Sequence, residues 1–210
     1  MALDSMQEIF DKILAGQKPF WQVVRDTDME ERQVTAEASF EKMRSTWRAM
    51  VESVDAYRAD RRSVSGLVGG DAQRMWDYAA ARETLSGPYL QEVIATALCV
   101  AESNACMSRI VAAPTAGACG VLPAVLVPLY RRGTVEEDDI VRALYVAAGI
   151  GAVIGYRASI SGASGGCQAE VGTASAMAAG ALVDLRGGGP DQIGHAVAMA
   201  LKNLLGLVCD

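Results

Sequence analysis

The chain has 210 residues, of which 51% are hydrophobic, 21% charged and 6% aromatic, and its 19 basic and 25 acidic side chains give a net charge of −6. That much apolar material excludes a disordered chain, and an acidic balance with no basic run longer than a pair argues against gripping nucleic-acid phosphates. The charge is uneven: residues 1–62 carry 22 charged side chains and the remaining 148 residues carry another 22. We therefore expect charged N-terminal helices over 1–62 and, in the same domain, a small-residue region over 63–210 that holds the function.

Residues 1–18 are acidic from Asp4 onward and lack a basic segment ahead of an apolar core. This is unlike a secretory signal and sets the expectation of a cytoplasmic protein. Phe40, Met43, Trp47, Met50, Val51 and Val54 recur at helical spacing, with Arg44, Arg48, Glu52 and Asp55 between them, predicting one amphipathic helix. Arg58–Arg62 ends it, Ser63–Ala72 (SVSGLVGGDA) is a glycine-rich turn, and helices are predicted from Asp71 and from about Pro88 to Met107.

Ile110–Tyr130 is free of charge for 21 residues, but Pro114, Pro123, Pro128, Gly117 and Gly120 would break a lipid-exposed helix, so no membrane span is expected there. It reads as a buried loop followed by a short helix. The acidic cluster Glu136–Asp139 suits a helix N-terminus, and Ala143–Tyr156 beyond it is apolar all round, predicting a buried central helix. Within Ala158–Leu182 a glycine-rich loop leads into an alanine-rich helix. Gly187–Gly189 stops that helix, and Pro190 with Asp191 starts the last one, predicted to about Leu207. No period-two strands occur, so the fold class is mainly α, with glycine-rich loops at helix N-termini.

Three loops lead into helices: Ser65–Ala72, Pro114–Leu122 and Ser159–Val171. Backbone amides at a helix N-terminus attract a carboxylate or phosphate, although none of the three has P-loop spacing. Cysteines stand at 99, 106, 119, 167 and 209, an odd count without a C-x-x-C pair, which excludes zinc-ribbon and thioredoxin spacings. Cys119 and Cys167 fall inside two of the loops, where a thiolate would sit among donor amides. The one histidine, His195, falls on the last helix, where a satisfied or exposed side chain is favoured over a catalytic role. Lys202 is the only lysine after Lys42, either snorkelling from an apolar helix or serving a site.

The strings SGLVGGDA, AAPTAGACGVLPA, ASISGASGGCQAEVGTASAMAAGAL and ALKNLLGLVCD, in that order, closely resemble the α chain of iron–sulfur L-serine dehydratase (L-serine ammonia-lyase). The likeness runs from about residue 63 to the end. Val68, where a threonine is expected, and Ser108, where glycine is usual, depart from it. The resemblance implies a helical domain converting L-serine to pyruvate and ammonia with a 4Fe-4S cluster, and a β chain or β domain as partner. It implies Cys167 and Cys209 as cluster ligands, 42 positions apart, with a third ligand a little beyond the GLVCD motif, past Asp210.

The expectation that follows is an incomplete cluster-binding region that assembles no active cluster alone. An iron with an open position would act as Lewis acid on the departing hydroxyl while a base removes the Cα proton. Ser65, Gly66, Thr115, Ala116 and Gly117 are the candidates for holding the substrate carboxylate, with Lys202 and Asn203 adding a charge and a donor. Two other readings stay open: a pyridoxal-phosphate lyase with Lys202 as the Schiff base, and a non-catalytic helical scaffold with inert cysteines. A homo-oligomer is compatible with either.

Overall fold

A computed structural model describes residues 3–206 and 208, and every regular element among them is helical. Ten α-helices follow one another: α1 (Met6–Gly16), α2 (Phe20–Arg32), α3 (Ala36–Asp55), α4 (Asp71–Ala81), α5 (Gly87–Ala105), α6 (Val121–Arg131), α7 (Glu137–Arg157), α8 (Gly162–Cys167), α9 (Thr173–Leu185) and α10 (Pro190–Asn203). A 3₁₀ turn at Ala116–Ala118 precedes α6, and a π-helical turn at Gln168–Gly172 joins α8 to α9. The chain forms two compact units, one of residues 1–47 and 135–210, the other of residues 48–134. The compositional step at residue 62 falls inside the second.

The first unit is built on α7. Its first turn carries Glu137, Asp138 and Asp139, which complement the helix dipole; Glu137 and Asp138 pair with Arg44 of α3, at 2.6 Å for Asp138, and Asp139 pairs with Arg142 at 2.9 Å. From there Ile140, Val141, Leu144, Tyr145, Ile150 and Val153 are buried. Counted from Glu137, α7 passes the length and apolarity test for a membrane span, which Ala143–Tyr156 alone does not; its apolar surface is spent on packing α2 and α9. Close approach depends on missing side chains. A Cβ on Gly149 would stand 2.5 Å from Val24 Cγ2 of α2, and one on Gly151 would stand 2.9 Å from Met177 Sδ of α9.

The buried hydroxyls of Ser39 and Tyr145 are satisfied in a chain. The Ser39 and Tyr145 hydroxyls lie 2.6 Å apart, and Ser39 donates to Asp28 Oδ2 at 2.6 Å. Asp28 in turn accepts from Arg32 at 3.0 Å, so the buried hydroxyls end on a neutralised carboxylate.

Asp184 of α9 is a different case. Burial pushes its carboxyl up to about 6, with Asp139 adding to the rise and Arg142 opposing it. A native value above the unfolded one means that the folded state binds the extra proton, so stability falls as pH rises from 3.8 to about 6. We expect Asp184→Asn to raise stability at pH 7 by about 2 kcal/mol and the difference to vanish in acid, as read by denaturant melts across this pH range.

In the second unit α5 is central, packing against α4 and α6. At Gly120, just before α6, a Cβ would lie 2.9 Å from the backbone carbonyl oxygen of Ala97, so only glycine lets the chain pass α5 this closely. Tyr89 donates to the Val125 carbonyl at 3.1 Å, and Trp76 meets Tyr57 edge to face at 5.7 Å. Pro128 sits within α6.

The predicted helices from Asp71, from about Pro88 and from the acidic cluster all form, within two residues of the expected starts. Two differences stand out. The segment expected as a loop over Ser159–Val171 is mostly helical, interrupted where Gly166 takes φ 69° and ψ −174°. The last helix ends at Asn203 instead of about Leu207, capped by Leu204.

Candidate functional site

The second unit holds two of the three glycine-rich loops. Over residues 63–70 the chain folds on itself: Ser63 N–H donates to Val68 O at 2.9 Å, Gly66 N–H to Ser63 O at 2.8 Å and Val68 N–H to Ser63 Oγ at 3.2 Å. The Ser63 and Ser65 hydroxyls lie 3.0 Å apart, which leaves Ser65 and Gly66 at an exposed tip flanked by solvent-facing Val64 and Leu67. Gly69 (φ 137°) and Gly70 (φ 85°) make the hinge into α4, and a side chain on Gly69 would also overlap the Arg61 carbonyl.

That hinge is pinned by Glu102, which sequence reasoning missed. This carboxylate accepts from the backbone N–H groups of Gly70, Asp71 and Ala72 and from the Tyr57 hydroxyl. Burial, together with the bond to Glu102, pushes the Tyr57 phenol up to about 12, so it stays a donor. A signal was available: Glu102 ends a run of nine uncharged residues, and a lone acid in an apolar helix needs partners.

In the other loop the 3₁₀ turn places Ala116 and Gly117 at the surface, while the Thr115 hydroxyl is buried without a hydrogen-bond partner. Asn104 donates to Ala116 O at 3.0 Å. Cys119 is buried in the same loop and its thiol is pushed up by burial; Cys99, donating to Val54 O at 3.5 Å, is pushed to about 12. Both behave as small apolar side chains, and Cys106 is buried with them.

The first unit holds the third loop. Cys167 ends α8 one residue after the break at Gly166 and is exposed. Glycines let this segment coil tightly: a Cβ on Gly162 would stand 2.8 Å from Glu170 Oε2, and one on Gly165 would stand 2.7 Å from the Cβ of Ala169. Gln168, next to Cys167, donates to Leu201 O at 3.0 Å. That bond brings the Cys167 segment to the last turn of α10, where Lys202 and Asn203 are exposed and Lys202 complements the helix's negative end. His195 is exposed on the same helix. Cys209 lies outside the described residues. Among the described residues no three histidine, cysteine or acidic side chains gather to hold a metal ion.

Residues 15–210 match the family model for the serine dehydratase alpha chain. The chain is 42% identical over 183 residues to the probable L-serine dehydratase, alpha chain, of Bacillus subtilis (strain 168), covering 87% of this chain and 61% of that protein. It is 44% identical over 144 residues to the L-serine dehydratase, alpha chain, of Peptoniphilus asaccharolyticus, covering 69% and 49%. With the L-serine dehydratase of Streptomyces coelicolor the identity is 48% over 117 residues, 54% of this chain and 25% of that protein. The chain thus spans about half to three-fifths of the length of the two alpha chains.

Proposed function

The chain belongs to the serine dehydratase alpha-chain family, and on that premise we propose that it is the α chain of an L-serine dehydratase. The enzyme would take L-serine to pyruvate and ammonia with a β chain as partner. The observation that carries the reading is the family match across residues 15–210, which includes the Cys167 segment and the last turn of α10.

A 4Fe-4S cluster is part of the proposal, with Cys167 and Cys209 among its ligands. The donor chemistry fits at Cys167: it is exposed where Cys99, Cys106 and Cys119 are buried. Cys167 is one ligand of the proposed set, and Cys209, the second, lies outside the described residues. When bound, such a cluster supplies a Lewis acid for the departing hydroxyl.

The chain's own residues bind and orient. Ser65 and Gly66 at one exposed tip, and Thr115, Ala116 and Gly117 in the other loop, are the candidates for holding the substrate carboxylate, with the Gly66 N–H itself turned to Ser63 O. Thr115 is the stronger candidate, because its buried hydroxyl lacks a partner within the protein. Lys202 and Asn203 add a cation and an amide beside the Cys167 segment.

The test is co-expression with the β chain, purification without oxygen, and assay with L-serine. Pyruvate and ammonia released one to one, with a brown absorption bleached by air, are expected. A yellow aldimine band removed by borohydride would replace the cluster reading with the Lys202 reading, and no turnover with no chromophore would leave a scaffold.

A further inference from the structure

Glu102 lies in the last turn of α5 and is 3% exposed, and a carboxylate buried that deeply must have its charge met by donors. Four donors do so. Oε1 accepts from the N–H of Asp71 at 2.6 Å and of Ala72 at 3.2 Å, and Oε2 from the N–H of Gly70 at 2.9 Å and from the Tyr57 hydroxyl at 2.6 Å. The N-terminus of α4, where a bound anion would be expected, is therefore filled by the protein's own side chain. Two residues further on, Asn104 donates to the Ala116 carbonyl at 3.0 Å. One turn of α5 thus holds both glycine-rich loops of the second unit, the Gly70–Ala72 end of the loop that carries Ser65 and Gly66 through Glu102 and the Thr115–Gly117 turn through Asn104.

We infer that Glu102 and Asn104 are positioning residues for substrate binding: neither meets the substrate, and each fixes one of the two loops that receive it. The inference rests on the reading of the chain as an L-serine dehydratase α chain. Its physical basis is that the hinge at Gly69 and Gly70 has left-handed backbone angles and no side chains of its own, so an outside anchor sets its direction. In Glu102→Gln an NH₂ replaces one oxygen and faces N–H donors. The Tyr57 hydroxyl can turn to accept from it, whereas the Gly70 N–H cannot, so the hinge is the part released.

A loop no longer held in its binding geometry weakens substrate affinity without altering the chemical step. The experiment uses the oxygen-free, cluster-loaded complex of α and β chains. Turnover by the parent tests the dehydratase reading alone, and the variants then test positioning. Glu102→Gln is expected to raise KM for L-serine about tenfold with kcat within about threefold of the parent, and Asn104→Ala to raise KM about threefold with kcat unchanged. A purely structural role would instead lower the active fraction, and with it kcat, at an unchanged KM. That result, or a KM within about twofold of the parent in both variants, overturns the inference. Should Glu102→Gln fail to fold, Asn104→Ala decides, since it removes one bond at the surface.

Discussion

Replacing Cys167 by serine is expected to lower serine turnover by at least about 100-fold and to remove the brown absorption, while leaving the fold unchanged. The two side chains are nearly the same size, and Cys167 is exposed at the end of α8, so no packing is lost. What changes is the ligand: a cysteine thiol readily gives up its proton to iron and binds as a soft thiolate, whereas a serine hydroxyl holds its proton and offers a poor donor. The buried cysteines provide the contrast. Cys119→Ala removes a thiol that is 2% exposed and held protonated by burial, so it should cost stability and leave the absorption intact. Alkylation without denaturant should follow the same order, modifying Cys167 before Cys99 or Cys119. Full turnover and an intact cluster in Cys167→Ser would refute the ligand assignment, whereas retention of the absorption in Cys119→Ala is what the assignment requires.

The parts of this molecule that could be read from the sequence are those where local chemistry decides. The turn before α4 is legible because Gly69, Gly70 and Asp71 combine left-handed backbone freedom with an acidic helix start. The start of α7 is legible for a similar reason, its first turn holding three carboxylates. The Ser159–Val171 segment was misread because glycines in a helix carry an entropic penalty, which predicts a loop. In the folded protein Gly162 faces Glu170, Gly165 faces Ala169 and Gly172, just beyond the segment, faces Gln168, and the tight helical path exists because they lack side chains.

What could not be read is long-range. Glu102 meets donors some thirty residues upstream, and its partners have no spacing that a motif would flag. The link between Gln168 and Leu201 joins two parts of the candidate site by a backbone carbonyl, which every residue possesses. The division into units is likewise invisible to composition. Charge density reports exposure to water, whereas the unit boundary depends on α7 packing against α2, more than a hundred residues earlier.

The density of that packing sets the second large effect: Gly180→Val is expected to destabilise the first unit by about 3 kcal/mol. Gly180 lies on α9 where α7 and α10 both approach. A Cβ there would overlap Ile150 Cδ1 and stand 3.4 Å from Ile193 Cγ2 and 3.5 Å from Val197 Cγ2. Ile150 is fully buried and Ile193 is 1% exposed, so neither has solvent to move into. Valine is only a few tenths of a kcal/mol better than glycine as a helix former, far too little to offset Ile150 forced from its place. The mechanism is overpacking against one side chain in particular, and that makes it separable from a general intolerance of the site. Truncating Ile150 to alanine opens the space that the valine needs, so although Ile150→Ala is itself destabilising by about 2–5 kcal/mol, the double variant should be more stable than the sum of the singles by at least about 1 kcal/mol. Denaturant melts of the four proteins in the cycle measure this coupling, and additivity to within about 0.5 kcal/mol would show that Ile150 is not what excludes a side chain at Gly180.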